Sequence, residues 1–401
     1  MSGKDRRLIL VTSRYPFGSQ EAYLSTELRE LKKHFDEIVV VPVRPPEAPA
    51  RHPVPEGIAV LAWPLFSSEL LWRAVRIAAA RPRVSLRTIA GLVASRDPGR
   101  AKNFAVLVKA LALAHWAKEH RATHIHAYWI STPATVAMVA GLVGGIKWSS
   151  TAHRWDIYER NAFDLKESSV SFVRAISGRG ASDLRTRMPR LNGRVLQLGL
   201  GITVPSAIRK PRQGAQFRIA CPAALVPVKG HATLFAALAN LRRSNVPVHC
   251  MLFGTGPLQE ELEAMVAELE LGDAVEFAGF VPQERLHTSY RAGQFAAVVL
   301  ASRSAGERMM EGVPSALLEA MAFGVPVVAT DSGSIREVLD DRSGLLAPAD
   351  DPNRLAAALF NVYLDPDAAH VRAQRAYEVV ASEHDVGTQM RELAVALNRK
   401  E

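Results

Sequence analysis

The sequence predicts two doubly wound α/β domains, each a parallel sheet covered by helices, facing a cleft. Three observations predict it. The chain has 401 residues, more than one hydrophobic core usually serves. Short aliphatic runs alternate with helical patterns, and that alternation starts twice, at Leu8 and again near Phe217. Between the two series lies "GITVPSAIRKPRQGAQ" (Gly201–Gln216), rich in proline, glycine and charge. The boundary is expected near Val204, giving domains over 1–204 and 205–375.

Taken in order, "LILVT" (Leu8–Thr12) reads as a buried strand. "SQEAYLSTELRELKKHF" (Ser19–Phe35) has its apolar residues at helical spacing, and "EIVVVPV" (Glu37–Val43) is the next strand. Residues 66–100 leave this rhythm and predict two arginine-studded helices broken at Pro82. "AVLVKALALAHWA" and "TVAMVAGLVGG" are helix-length and read as buried helices, too short and too interrupted to cross a membrane. "HIHAYW" and "KWSSTAH" are strands. The second series runs through "FRIACPAAL", a helix from His231, "VHCMLFG", "LQEELEAMVAELE", "AVEFAGF", "AAVVLAS" and "VPVVAT". Strand–helix–strand units with right-handed crossovers make parallel sheets. In such sheets ligands bind beyond the C-terminal strand ends.

Composition excludes several classes. Only two cysteines occur, Cys221 and Cys250, so a disulfide framework and a thiolate-rich zinc site are both ruled out. A reducing, cytoplasmic setting is the expectation, with membrane contact only at a surface. The net charge of +9 divides unevenly, with 30 basic and 16 acidic residues before position 201 against 19 and 24 after it. A basic half first suggests nucleic acid. No recognition helix, RNP-type strand or zinc finger supports that, so no nucleic-acid partner is expected. Residues 51–100 hold 8 basic and 3 acidic residues beside Trp63, Phe66, Leu70, Leu71 and Trp72. An anionic membrane surface is the better candidate partner, although a general arginine bias would also produce such a count.

The most informative segment is "EGVPSALLEAMAFGVPVVAT" (Glu311–Thr330). Gly312 and Pro314 make a tight entry to a helix, and Ser315 could cap its free amides. A helix N-terminus beside a cleft attracts anions. Glu311 precedes the helix and Glu319 lies within it, so a diphosphate could sit between two carboxylates that accept hydroxyls. Alone, such a pair reads as two solvated helix charges; its surroundings reverse that.

The segment resembles the Glu-x7-Glu signature of retaining family 4 glycosyltransferases with the GT-B fold. "VPVKGHATLFAAL" is similar to that family's Lys-Gly loop, "LFGTGPLQEELE" to its Gly-x-Gly-Pro turn, and "VEFAGFVPQERL" to the segment bordering the donor base. "SGSIREV" is similar to its Gly-rich turn. The first half matches through "YPFGSQEAYLSTEL", "HIHAYW" and "TAHRWDIY". Among members, bacterial exopolysaccharide and capsule transferases of the colanic-acid type look most alike. The resemblance implies that Glu311 holds hydroxyls of the transferred sugar, that Gly312, Val313, Pro314 and Ser315 face sugar and phosphate, and that Glu319 binds ribose. It implies that Lys229 pairs with the diphosphate, Gly254 lies on the donor turn, and Val281 borders the base. His153 would approach the donor sugar, and Gly18 would face the acceptor. It also implies that the terminal segment 376–401 packs back on the first domain. Each residue has a plainer reading: a loop charge for Lys229, a satisfied strand-end histidine for His153, a turn for Gly18.

Three positions depart from the pattern. Ala224 replaces the arginine usual five residues before the lysine; Arg303 and Arg308 are candidate substitutes. Gly201 replaces a common acid, and Ser334 replaces a turn glycine. The expected reaction retains anomeric configuration by a front-face route, with the donor phosphate helping to take the acceptor proton. The partners implied are a nucleotide-sugar donor and a glycan or lipid-linked acceptor. No cofactor and no essential metal is expected; "DPD" (Asp365–Asp367) and "HIH" (His124–His126) read as chance and as strand alternation. The alternatives are a catalytically weak homologue serving as a binding subunit, or a transferase acting on a small natural product.

Overall fold

A computed structural model describes residues 6–18, 21–44, 49–50, 52–95, 97–211, 214–304, 306 and 310–399. Contacts divide the chain into two units, Met1–Gly201 with Val386–Glu401, and Ile202–Asp385. The division falls three residues before the boundary expected at Val204.

The first unit holds a sheet of β1 (Arg7–Thr12), β2 (Glu37–Pro42), β3 (Ile58–Val60), β4 (His124–Ala127), β5 (Lys147–Ala152), β6 (Val173–Ala175) and β7 (Val195–Gln197). Their order is β3-β2-β1-β4-β5-β6-β7, and every pairing is parallel. Its helices are α1 (Tyr23–Leu31), α2 (Ser68–Ala80), α3 (Pro82–Ala94), α4 (Arg100–Ala105), α5 (Leu107–Glu119), α6 (Thr132–Gly144), α7 (Arg154–Glu159), α8 (Phe163–Glu167) and α9 (Gly178–Arg187). The second unit repeats the plan with β8 (Phe217–Pro222), β9 (Val248–Phe253), β10 (Val275–Gly279), β11 (Ala297–Leu300), β12 (Val327–Asp331) and β13 (Leu345–Pro348), ordered β10-β9-β8-β11-β12-β13 and parallel throughout. Its helices are α10 (His231–Arg243), α11 (Gln259–Glu268), α12 (Gln283–Arg291), α13 (Ser315–Ala322), α14 (Pro352–Leu364) and α15 (Pro366–Glu383). A last helix, α16 (Val386–Leu397), returns to the first unit and packs on α1. The return therefore begins at Val386, not at residue 376, because α15 packs on α13 of the second unit.

Both sheets reverse direction of growth beside their first strand, between β1 and β4 and between β8 and β11. Their central strands are buried on both faces, which explains the unbroken aliphatic runs. Buried charges shape the first unit, among them Lys109 and the Arg174–Glu27 pair. Lys109 on α5 donates to the carbonyls of Pro42 (2.7 Å), Val43 (3.1 Å) and Trp63 (2.8 Å), tying down the end of β2. Arg174 on β6 pairs with Glu27 on α1 (2.8 Å), both fully buried. The same guanidinium donates to the Leu198 and Gly199 carbonyls, while Glu27 accepts the Gly201 amide at 2.9 Å. Gly201 has no space for the acid that the family often carries, because a Cβ there would meet Val386 Cγ2 at 2.8 Å.

The two alternative metal motifs resolve locally. Asp365 caps α15 by accepting the Ala368 amide at 2.8 Å, and Asp367 pairs with Lys210. His124 and His126 both reach Ser149 Oγ at 2.7 Å, and His126 Nε2 lies 2.8 Å from Thr151 Oγ1, inside the sheet packing.

Candidate active site

In the second unit the reversal point is flanked by the loops after β8 and β11. The first carries Lys229 and the second carries Ser302 and Arg303. The Arg303 amide donates to the Val228 carbonyl at 2.8 Å, joining the two loops. Glu311 enters this junction before α13. Its Oε2 accepts Lys229 Nζ at 2.5 Å and Ser302 Oγ at 3.0 Å, and its own amide donates to Ser332 Oγ at 3.1 Å. Its carboxylate is thus a partly buried anion held by a cation and a hydroxyl. Ser332 in turn donates to the Arg303 carbonyl. Gly333, at φ +61°, lies so close that a Cβ there would run into the Glu311 carbonyl oxygen. Ser334, the departure beside it, keeps the turn by donating its amide to that carbonyl at 3.3 Å.

Residues 312–315 follow in line. The Gly312 amide lies 3.3 Å from Glu311 Oε1, and Val313 is buried. Pro314 stands as the N-cap of α13, outside its first turn, and among the described residues no side chain caps the helix. Ser315 is the first helical residue and does not cap, contrary to the sequence expectation. An uncapped N-terminus keeps its orphan amides available. Glu319 lies further along α13, and its Oε2 is 3.0 Å from Nε2 of His287 on α12. Gly254 follows β9 and sits directly on the Ala223 carbonyl, a contact no side chain allows. Val281 is half-buried between β10 and α12. Arg303 is beside Lys229 in the fold, with its Nε on Asp350 Oδ1 at 2.8 Å. Arg308 lies outside the described residues.

The other two residues belong to the first unit. There the loops after β1 and β4 border a cavity of about 620 Å³, lined among others by Ser13, Arg14, Gly18, Trp129 and Trp155. Glu21, buried at its rim, accepts the amides of Ser13 (3.1 Å), Arg14 (2.8 Å) and Tyr15 (2.6 Å) and the Trp129 indole N–H (2.7 Å). His153 caps the start of α7, stacks near Trp129 with ring centroids 4.2 Å apart, and reaches the Tyr23 hydroxyl at 3.1 Å. Burial, and secondarily Arg174, pushes its pKa down to about 3, so it is neutral at pH 7. A neutral imidazole is a hydrogen-bonding group, not a counter-ion.

The sequence reading missed Ser302, Ser332, Asp350, Glu21 and His287. A signal existed for the last: helical spacing places His287 with Leu286 and Tyr290 on one face, all buried. A buried histidine needs a partner.

Comparison with known proteins closes on the same segment. Residues 207–379 match the family model described as glycosyl transferases group 1. That stretch takes up most of the second unit, which is therefore similar to a glycosyl transferases group 1 domain. The putative colanic acid biosynthesis glycosyltransferase WcaL of Escherichia coli K12 is 33% identical over 215 residues, 52% of this chain and 52% of WcaL. A GDP-mannose-dependent alpha-(1-6)-phosphatidylinositol monomannoside mannosyltransferase of Mycolicibacterium smegmatis is 34% identical over 152 residues, 38% of this chain and 40% of that protein. The matches thus span about half the length of these curated relatives or less. Anabaena HepE, solved in complex with UDP, superposes with a TM-score of 0.69 at 18% identity, covering 98% of this chain and 99% of HepE. Sucrose-phosphate synthase of Thermosynechococcus elongatus gives 0.70 at 19%, covering 97% and 98%. The fold of the two units is therefore GT-B, two Rossmann-like domains. Among the described residues no helix is long and apolar enough to cross a membrane.

Proposed function

We propose that this chain is a retaining glycosyltransferase. It moves a hexose-type sugar from a nucleotide-diphosphate donor to a glycan or lipid-linked acceptor in polysaccharide synthesis. The observation that carries this reading is the Lys229–Glu311 pair at the uncapped start of α13, with Glu319 on the same helix. An ammonium and free amides suit a diphosphate, and neutralising that leaving group is what transfer requires. The two carboxylates suit sugar and ribose hydroxyls. His287 orients the second of them. Colanic acid and phosphatidylinositol mannoside relatives support the acceptor class, and HepE with UDP supports the donor class.

The site holds Glu311 as a sugar-positioning anion, not as a nucleophile. The donor's own phosphate oxygen takes up the acceptor proton in the front-face route, and no metal or cofactor enters. Thermal-shift screening against UDP, GDP and their sugars tests the donor. One nucleotide diphosphate is expected to raise Tm, by about 2.7 kcal/mol of stabilisation at 100 times its Kd; no shift with any of them refutes the reading. Hydrolysis of the selected donor without acceptor separates an enzyme from a binding subunit, an alternative that Ala224 keeps open.

Arg303 takes the place of the missing arginine. It leaves Asp350 and turns to the diphosphate when the donor arrives. Arg303→Ala should then weaken nucleotide diphosphate binding about tenfold while leaving the nucleoside unaffected, as calorimetry would read. Unchanged diphosphate affinity removes Arg303 from the site.

A further inference from the structure

The helices α2 and α3 stand out from the rest of the surface. Seven of the fourteen large hydrophobic residues exposed among the described residues fall between Phe66 and Val93. On α2, Leu70, Ala74 and Ile77 turn inward, and the helix packs against α5. The outer face carries Leu71, Trp72 and Val75, which are 55%, 52% and 59% exposed. On α3, Ser85, Thr88 and Leu92 turn inward, leaving Leu86, 68% exposed, and Val93 outside. Helical spacing makes each outer set a continuous stripe. Two residues expected there do not contribute: Leu70 is buried, and Trp63 packs edge-on against Trp116 at 6.5 Å.

Charge runs along the same two helices. Ser68–Ala94 contains five arginines and one acid, Glu69. Glu69 is taken up by Arg73, which also pairs with Glu119. Arg76 lies over the Trp72 ring, 4.6 Å from its centre, within the apolar stripe. Arg83 and Arg87 flank Leu86 on the exposed side of α3. Apolar bulk interleaved with arginine, and almost no acid, matches a surface whose interior is hydrocarbon and whose rim is phosphate.

We infer that α2 and α3 form a membrane-docking face that binds anionic lipid, with Leu71, Trp72, Val75 and Leu86 entering the headgroup boundary and Arg76, Arg83 and Arg87 on the phosphates. Charge complementarity selects lipid over a second copy of the chain, because two such faces would oppose arginine to arginine. The inference goes beyond the transfer reaction and needs neither donor nor acceptor.

The test is flotation of the full chain with vesicles of phosphatidylcholine alone, or with about a third phosphatidylglycerol. Binding is expected to the anionic vesicles only, and to fall steeply with added salt. Leu71→Ser with Trp72→Ser should lower partition at least about tenfold. Arg83→Gln and Arg87→Gln should each lower it about fivefold on anionic vesicles. All these positions are exposed, so far-UV circular dichroism should be unaltered. Should the double variant misfold, quenching of the native protein by brominated acyl chains, lost in Trp72→Phe, reads the same contact. Negligible binding to both vesicles overturns the proposal, as does binding indifferent to the apolar and arginine substitutions. So does self-association in the ultracentrifuge that the double variant abolishes, which would assign the face to a second copy. Failure here leaves the transfer reading untouched.

Discussion

Glu311→Gln is expected to lower the transfer rate at saturating donor by about a hundredfold or more while nucleotide affinity changes little. The carboxylate accepts through both oxygens, Lys229 and Ser302 on Oε2 and the Gly312 amide on Oε1. An amide of the same shape accepts through only one atom and carries no charge to hold the ammonium. The donor sugar then loses an anionic acceptor for its hydroxyls just where the bond to phosphate must stretch. Loss of one preorganised electrostatic contact of this kind costs about 3 kcal/mol of transition-state stabilisation. Lys229→Ala should differ in kind, losing diphosphate affinity as well as rate, since it removes the cation itself. Steady-state kinetics with the donor found by thermal shift separates the two. Normal turnover in Glu311→Gln would falsify the sugar-positioning role.

Acid should unfold the first unit far more steeply than its surface charge suggests. Burial pushes His124 down to about 3, His153 to about 3, and His126 well below its usual value. A histidine depressed in the folded state contributes stability that is present above the unfolded pKa of about 6.5 and lost as pH falls toward the folded pKa. Asp156 works the other way. Its carboxyl is raised to about 8 by burial, so the folded state already holds that proton. Three histidines against one aspartate leave a net uptake of about two protons on unfolding between pH 6 and 4. That is a slope of roughly 3 kcal/mol per pH unit. Calorimetry of Tm against pH checks it, and His126→Gln should reduce the uptake by about one proton. A flat Tm across this range would refute the net uptake of two protons.

Much of the architecture is legible in the sequence because doubly buried strands must be apolar throughout. "LILVT", "EIVVVPV" and "AAVVLAS" could scarcely be anything else, and each became a central strand. What escaped notice was short or polar. β3 and β7 have three residues each at the sheet edges, too few to show a pattern. β6 carries Arg174 at its centre, and only Glu27, far away in sequence, makes that charge tolerable. The break at Pro82 was visible because proline permits helix only in its first turn, where it stands. Within the site, Lys229 and Glu311 stood out only through the family resemblance of their segments, and they meet. Ser302 and Asp350 did not, because their importance lies in contacts across loops, which spacing along the chain does not encode.

One arrangement has a consequence for the division of labour between the units. In the first unit, three successive amides after β1 converge on the carboxylate of Glu21, with an indole N–H beside them. Converging amides of this kind form a nest, the concavity that many Rossmann-like domains offer to a pyrophosphate. Here the nest is filled from within by the chain's own anion. A nucleotide phosphate would have to displace a buried, four-fold bonded carboxylate to enter, whereas the corresponding end of the second sheet presents an uncapped helix and a lysine. Although the two sheets share one strand order, the first is closed to phosphate at its reversal point.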